Sequence, residues 1–139
     1  MSKIYSYTET TKGIYRPYLK VYFLHPESPY NFEIDGLLDS GSIFSIFLSW
    51  FLSLLEHLEH NLKKGRKPIK VNIANKEVKG YLHTVKVKID KFDKVFDWEI
   101  YFSDDIDDWG FGILGHKPFF SHFKVTFDYP KKIFLLSKL

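Results

Sequence analysis

The residues with the clearest chemical potential in this sequence are Asp39, Ser40 and Gly41. The apolar pair Leu37 and Leu38 directly precedes Asp39, so a buried strand would deliver one carboxylate into a turn. Gly41 lets the chain fold back, and backbone N–H groups can then approach the carboxylate. The tripeptide alone is weak evidence for catalysis, because Asp and Ser also form ordinary turns by hydrogen-bonding their own backbone.

A second segment, late in the chain, strengthens the case for catalysis. Gly112-Ile113-Leu114-Gly115 is followed by His116-Lys117-Pro118-Phe119-Phe120 and then by the strand-like residues 123–128. An early Asp-Ser-Gly turn and a late segment of two apolar residues with Gly resemble the retropepsin-like, single-domain aspartic proteases. The resemblance lies in the order and spacing of the parts, and it runs from about Tyr15 to about Leu136.

The residue pattern and the resemblance together predict an all-β, mostly antiparallel fold, the closed acid-protease barrel. A polar N-terminal arm is expected at 1–14, and residues 15–139 are expected to form a single domain. Alternation of apolar and Lys residues between Ile69 and Ile89 is typical of half-exposed strands. The resemblance places there the flap, a hairpin that folds over substrate, at about 72–82, with Gly80 as a flexible point.

Two helices are expected. An apolar run ends in charges at helical spacing, which predicts a short strand through Phe47 and then a longer helix at about 49–63. Pro118 suits the first position of a short helix at about 118–122. The closing hairpin ends in the apolar segment 133–136. In many retropepsin-like proteins the terminal strands of two subunits interleave, and this segment fits that use.

The resemblance implies a homodimeric aspartic endopeptidase that acts on peptides or unfolded proteins. The chemistry needs two carboxylates about 3 Å apart that share a proton, because two like charges so close cannot both ionise. The sequence has a single Asp-Ser-Gly, so the second carboxylate must come from a second subunit. Asp39 would serve as base and acid in turn. Ser40 would hydrogen-bond across the dimer, and Gly41 would support the carboxylates through its backbone.

The resemblance also nominates residues that contact substrate, at the places where family members line their cleft. They are Ser42, Ile43, Gly80, Tyr81, Leu82, Ile113 and Gly115. Ser42 stands where retroviral members usually carry Ala, and its hydroxyl could hydrogen-bond Asp39. Ile43 and His116 stand where those members pair an acidic residue with Arg, so the viral brace is expected to be missing.

Composition limits the alternatives. The chain has 139 residues with a net charge of only +3, which is too balanced to argue for nucleic-acid binding. The absence of Cys excludes disulfides, thiol catalysis and thiolate metal sites. No apolar signal segment is visible near Met1, so a cytoplasmic location is expected. The uncharged run 40–55 falls short of a membrane-spanning helix, so no membrane span is expected.

Two further functions remain open. A retropepsin-fold dimer could bind peptides or proteins without cutting them, since a fold does not secure an activity. His57 and His60 lie three residues apart and could bind zinc, but the spacing of a zinc protease is absent and no third ligand can be nominated. Neither a metal nor another cofactor is therefore expected. His83, His116 and His122 are interpreted as ordinary, hydrogen-bonded histidines.

Overall fold

The computed structural model describes residues 1–55, 62, 65–73 and 75–139, except for the side chains at 66 and 67. The strands are β1 (Ser2–Ser6), β2 (Thr8–Thr11), β3 (Ile14–Arg16), β4 (Tyr18–Leu24), β5 (Asn31–Leu38), β6 (Ile46–Leu48), β7 (Arg66–Ile73), β8 (Lys76–Ile89), β9 (Val95–Ser103), β10 (Phe111–Leu114), β11 (Phe123–Asp128) and β12 (Ile133–Lys138). The helices are α1 (Trp50–Leu54), a 3-10 turn (Asp104–Ile106) and α2 (Phe119–His122). None of these helices combines the length and the apolar character that crossing a membrane requires.

The main sheet has the strand order β4-β5-β10-β6-β9-β8-β7, and an additional β4–β8 pairing joins the strands into a ring. Most neighbours are antiparallel, but β10 runs parallel to β5 and β6 runs parallel to β9. The prediction of a mostly antiparallel β fold is therefore confirmed, while both α-helices are short, although one longer helix was predicted. A smaller sheet has the order β1-β12-β11, and β2 pairs with β3.

The core lies inside the ring and is rich in aromatic side chains. Along β8, Val85, Val87 and Ile89 point inward while the side chains between them face outward, as the alternating sequence predicts. Phe23 from β4 contacts the rings of residues on three other elements, which are Phe47, Phe51 and Phe102. These contacts connect the first hairpin to β6, α1 and β9.

The predicted helix at about 49–63 begins where it was expected, since α1 spans Trp50–Leu54. Residues 56–61, 63 and 64 lie outside the described residues. Asp107 holds the start of α1, because its carboxylate accepts hydrogen bonds of 2.7 Å from both the backbone N–H and the hydroxyl of Ser49. The short helix α2 lies at Phe119–His122, so that prediction is confirmed.

The terminal segments form a sheet within one chain. β12 is its middle strand and pairs with β1 on one side and β11 on the other. Residues 1–14 thus contribute β1 and β2. Both edges of β12 are occupied by its own chain, so this apolar strand is not free to add to a partner's sheet as the terminal strands of viral members do.

A pair of glycines allows β5 and β10 to pack tightly. Gly36 and Gly112 face each other in the parallel register. A Cβ at Gly112 would lie 2.2 Å from Cδ2 of Phe47, which is fully buried. A Cβ at Gly36 would lie 2.8 Å from Cδ1 of Leu114. Neither position has room for a larger side chain.

Gly112→Ala should lower the free energy of unfolding by about 2 kcal/mol, because the added methyl forces the buried Phe47 ring to move. Urea unfolding checks this. Gly80→Ala is the matched control, since the nearest atoms to its added Cβ lie 3.3 Å away, and its loss should stay below about 1 kcal/mol. Equal losses in the two variants would contradict this account of the β5–β10 contact.

Candidate active site

Asp39 lies at the end of β5, in a turn held by its own backbone and by β10. Its N–H donates to the carbonyl oxygen of Leu114 at 3.0 Å, which continues the β5–β10 pairing by one residue. Its Oδ1 accepts the N–H of Gly41 at 2.9 Å, and its carbonyl accepts the N–H of Ser42 at 3.1 Å. The side chain of Asp39 is half-buried while Ser40 and Gly41 are exposed, so the turn presents a carboxylate at the surface.

The segment after β10 runs alongside the turn and fixes it. The N–H groups of His116 and Lys117 donate to the carbonyls of Ser42 and Ile43, each at 2.9 Å. A Cβ at Gly115 would lie 2.3 Å from the carbonyl oxygen of Phe44, so only glycine fits this close approach. The late Gly-containing segment thus packs against the Asp39 turn.

His116 forms a brace that the sequence did not predict. Its Nε2 donates to the carbonyl oxygen of Ser40 at 2.5 Å, and its ring contacts Phe120 edge to face. The Arg-to-acid brace of viral members was expected to be missing, and at that place His116 holds the turn through the backbone instead. Because the acceptor is a backbone carbonyl, the contact does not require an acidic side chain at position 43.

The Ser42 hydroxyl does not bind Asp39. It donates to the carbonyl oxygen of Phe44 at 2.7 Å. A hydroxyl has one proton to donate, so the expected hydrogen bond from Ser42 to Asp39 is wrong for this structure. Ser42 instead stabilises the chain reversal that follows the Asp39 turn.

The first of two cavities beside the turn is apolar and encloses about 190 Å³. Gly41, Ser42 and Ile43 form one wall, and the hairpin of β7 and β8 forms the opposite wall. The other lining residues are Phe44, Ile46, Ile69, Val71, Asn72, Ile73 and Tyr101. Ile43 is 61% exposed, so an apolar group that entered this cavity would find an apolar surface already facing solvent.

The second cavity contains Asp39 itself and is wider, at about 750 Å³. Leu37 and Ile113, which are register partners on β5 and β10, lie at its base. The other lining residues are Arg16, Tyr18, Ile73, Lys76, Trp109 and Phe111. Ile73 lines both cavities, so the end of the β7–β8 hairpin faces the Asp39 turn from across the cleft.

The structure brings together some of the residues predicted for substrate contact and separates others. Ser42, Ile43 and Ile113 line the cavities with Asp39 and Gly41. Gly115 packs behind the turn. Gly80, Tyr81 and Leu82 line neither of these two cavities, because the hairpin turns between Ile73 and Lys76, which are register partners.

The hairpin reverses between Ile73 and Lys76, and Gly80, the expected flexible point, does not lie at its tip. Asn75 carries the left-handed backbone of the turn with φ 64°, a conformation that Asn tolerates well. Gly80 pairs with Ile69 in the regular part of the hairpin, and Leu82 is 6% exposed. The predicted flap range of 72–82 includes the turn and β8 as far as Leu82, but only the last two residues of β7.

Sequence reasoning missed Ser45, which supports the site from within. Ser45 is fully buried, and its hydroxyl accepts the N–H of Gly115 at 3.0 Å. Its backbone bonds to Lys117 and Tyr101 tie the turn to β9. The sequence signal for this role was a Ser within an apolar run, because a buried hydroxyl needs a hydrogen-bond partner.

The acidic loop and the histidines have structural partners. In the acidic loop 103–108, the carboxylate of Asp105 accepts the Lys79 N–H at 2.9 Å and that of Asp107 accepts the Ser49 hydroxyl. His83 and His122 are hydrogen-bonded to the carbonyls of Leu62 and Pro118, as predicted for ordinary histidines. His57 and His60 lie outside the described residues, among which no cluster of three potential metal ligands occurs.

A solved structure shows the same fold. The crystal structure of a retropepsin-like aspartic protease from Rickettsia conorii covers 97% of this chain and 98% of its own chain, with a TM-score of 0.64 and 19% sequence identity. The chain thus has the retropepsin-like fold that the order of its motifs predicted. No protein-family model and no curated protein matches the sequence significantly.

His116→Leu should lower the free energy of unfolding by about 1 kcal/mol, because it removes one side-chain hydrogen bond to the Ser40 carbonyl. His116→Gln keeps an N–H donor and should recover part of that loss. Urea unfolding of both variants and the amide NMR shifts of Ser40 and Gly41 check this. Equal losses of unfolding free energy in His116→Gln and His116→Leu would show that the ring does not stabilise the turn through this hydrogen bond.

Proposed function

We propose that this protein is an aspartic endopeptidase that acts as a homodimer and uses Asp39 of each subunit. The observation that carries the proposal is the placement of the Asp39 carboxylate. It accepts the Gly41 N–H in a turn fixed by β10, and it opens into a cleft between that turn and the β7–β8 hairpin. The retropepsin-like fold supports the same assignment.

The chemistry follows from two carboxylates across a two-fold axis. One ionised Asp39 takes a proton from a water molecule as the water oxygen attacks the carbonyl carbon of the peptide bond. The other, protonated Asp39 hydrogen-bonds the carbonyl oxygen and stabilises the charge that develops there. Proton transfer to the amide nitrogen then allows the C–N bond to break. Within the described residues the Asp39 turn occurs once, so the second carboxylate comes from a second copy.

The remaining parts of the site have supporting roles in this proposal. Ser40 links the two turns across the axis, and Gly41 contributes its backbone. Ser42, Ile43 and Ile113 contact an extended peptide, and the end of the β7–β8 hairpin covers it as the flap. A cytoplasmic location stays a prediction from the sequence.

Asp39→Asn should lower kcat at least about a hundredfold, because Asn can neither accept the water proton nor share one with its partner. The measurement is cleavage of an unfolded protein between about pH 3 and pH 7, together with a sizing column. Asp93→Asn is the matched control, since Asp93 is exposed in the turn between β8 and β9. Activity that survives in Asp39→Asn would contradict the mechanism. A folded wild-type dimer that never cuts would favour the peptide-binding alternative.

Mixing wild-type protein with excess Asp39→Asn should suppress activity more than dilution with buffer does. A mixed dimer has only one carboxylate, so most wild-type subunits would be trapped in inactive pairs. The assay compares initial rates at a fixed wild-type concentration with and without excess Asp39→Asn. The same excess of the active variant Asp93→Asn should instead raise the rate. Rates that do not respond to excess Asp39→Asn would show that each chain works alone.

A further inference from the structure

The cavity that holds Asp39 has two basic residues at its rim. Arg16 and Lys76 both line it, and Asp39 is the only acidic residue among its lining residues. In the proposed dimer the two Asp39 side chains share one proton and carry one negative charge, while the two cavities bring two Arg16 and two Lys76 side chains. The cleft is therefore electropositive around the bond that is cut.

Arg16 is positioned by regular structure and has a charge available for a ligand. It ends β3, where it pairs with Thr8, and Pro17 then leads into β4. Its side chain is exposed, and it makes no ion pair with any residue that the structure describes. The Lys76 ammonium donates a hydrogen bond to the carbonyl oxygen of Asp105 at 2.5 Å. This acceptor is neutral, so the positive charge of Lys76 is not cancelled.

Three aromatic residues line the same cavity. Tyr18 and Phe111 have ring centroids 5.4 Å apart, and Trp109 lies 5.7 Å from Phe111. Burial raises the pKa of Tyr18, and the positive charge of Arg16 opposes that shift, so the guanidinium acts on this part of the cavity. The cavity thus combines an aromatic floor with a basic rim.

We infer that this cavity selects substrates with an acidic side chain close to the cleaved bond, and that Arg16 is the specificity-determining residue. The inference rests on the proposed function, because it assumes that the cleft receives an extended peptide. The aromatic floor packs the methylene groups of a Glu side chain, and the Arg16 guanidinium binds its carboxylate through paired hydrogen bonds. The two-fold axis places one such cavity on each side of the cleaved bond.

The apolar cavity does not favour acidic groups, so the two cavities divide the recognition. An apolar side chain fits between Ile43 and the hairpin, while an acidic one fits beside Arg16. Alternate residues of an extended peptide point to opposite faces. The expected substrate therefore combines apolar and acidic residues near the cleavage point.

The test first locates cleavage sites by mass spectrometry of a digested, unfolded protein. Synthetic peptides built on the best site then carry Glu, Gln or Lys at each flanking position, and are assayed at about pH 6, where Glu is ionised. At one or more positions the wild type should show a kcat/KM about tenfold higher for Glu than for Gln, the usual size of a charge-assisted hydrogen bond. Arg16→Gln should lose that preference, and Arg16→Glu should prefer the Lys peptide. Lys131→Glu, with the same charge change in the exposed turn before β12, should behave as the wild type.

A binding arm separates this inference from the proposed function. Asp39→Asn is titrated with the Glu and Gln peptides and followed by tryptophan fluorescence, which needs no cleavage. If the wild type cuts nothing but Asp39→Asn prefers Glu, and this preference is lost on adding Arg16→Gln, the protease proposal fails and the acidic-peptide site stands. If Glu and Gln peptides are equal in both arms, or the preference survives Arg16→Gln, the inference is overturned.

Discussion

The parallel contact between β5 and β10 is the constraint on which the rest of this structure depends. Strands far apart in sequence meet there because Gly36 and Gly112 leave room for Leu114 and Phe47 to pack against the backbone. One more hydrogen bond, from the Asp39 N–H to the Leu114 carbonyl, extends the contact into the turn. A carboxylate at a strand end that was free to move could not meet a symmetry-related carboxylate in a fixed geometry. The glycines therefore matter to the site although they contact no substrate.

The turn is held mostly by backbone groups, and this explains how it tolerates unusual side chains. The N–H groups of His116 and Lys117, and the ring of His116, bind carbonyls between Ser40 and Ile43. Such contacts depend on the path of the chain and not on an acidic side chain at Ile43. An apolar residue can then occupy that position, and Ile43 lines a cavity instead of bracing the turn.

The terminal sheet, in which β12 lies between β1 and β11, limits how two copies would associate. Because β12 lies between β1 and β11 of its own chain, its backbone hydrogen bonds are already made. A dimer that brings the two Asp39 turns together would draw its contacts from the surface around those turns and from the edges of β1 and β11.

From the sequence one can predict the early Asp39 turn, the late glycine segment, the start of the helix after β6 and the single Asp-Ser-Gly turn in each chain. Local patterns suffice for these features, since alternation, glycine spacing and turn residues act over a few positions. The family resemblance predicted a flap at about 72–82 and predicted that Gly80, Tyr81 and Leu82 contact substrate. These three residues lie away from the end of the hairpin. Other features are visible only in the folded chain. Ser45 supports the turn, and His116 binds a backbone carbonyl. Asp39 shares its cavity with Arg16, Lys76 and Trp109. These residues come from distant segments, and no short pattern in a single sequence records which side chains long-range strand pairing will bring together.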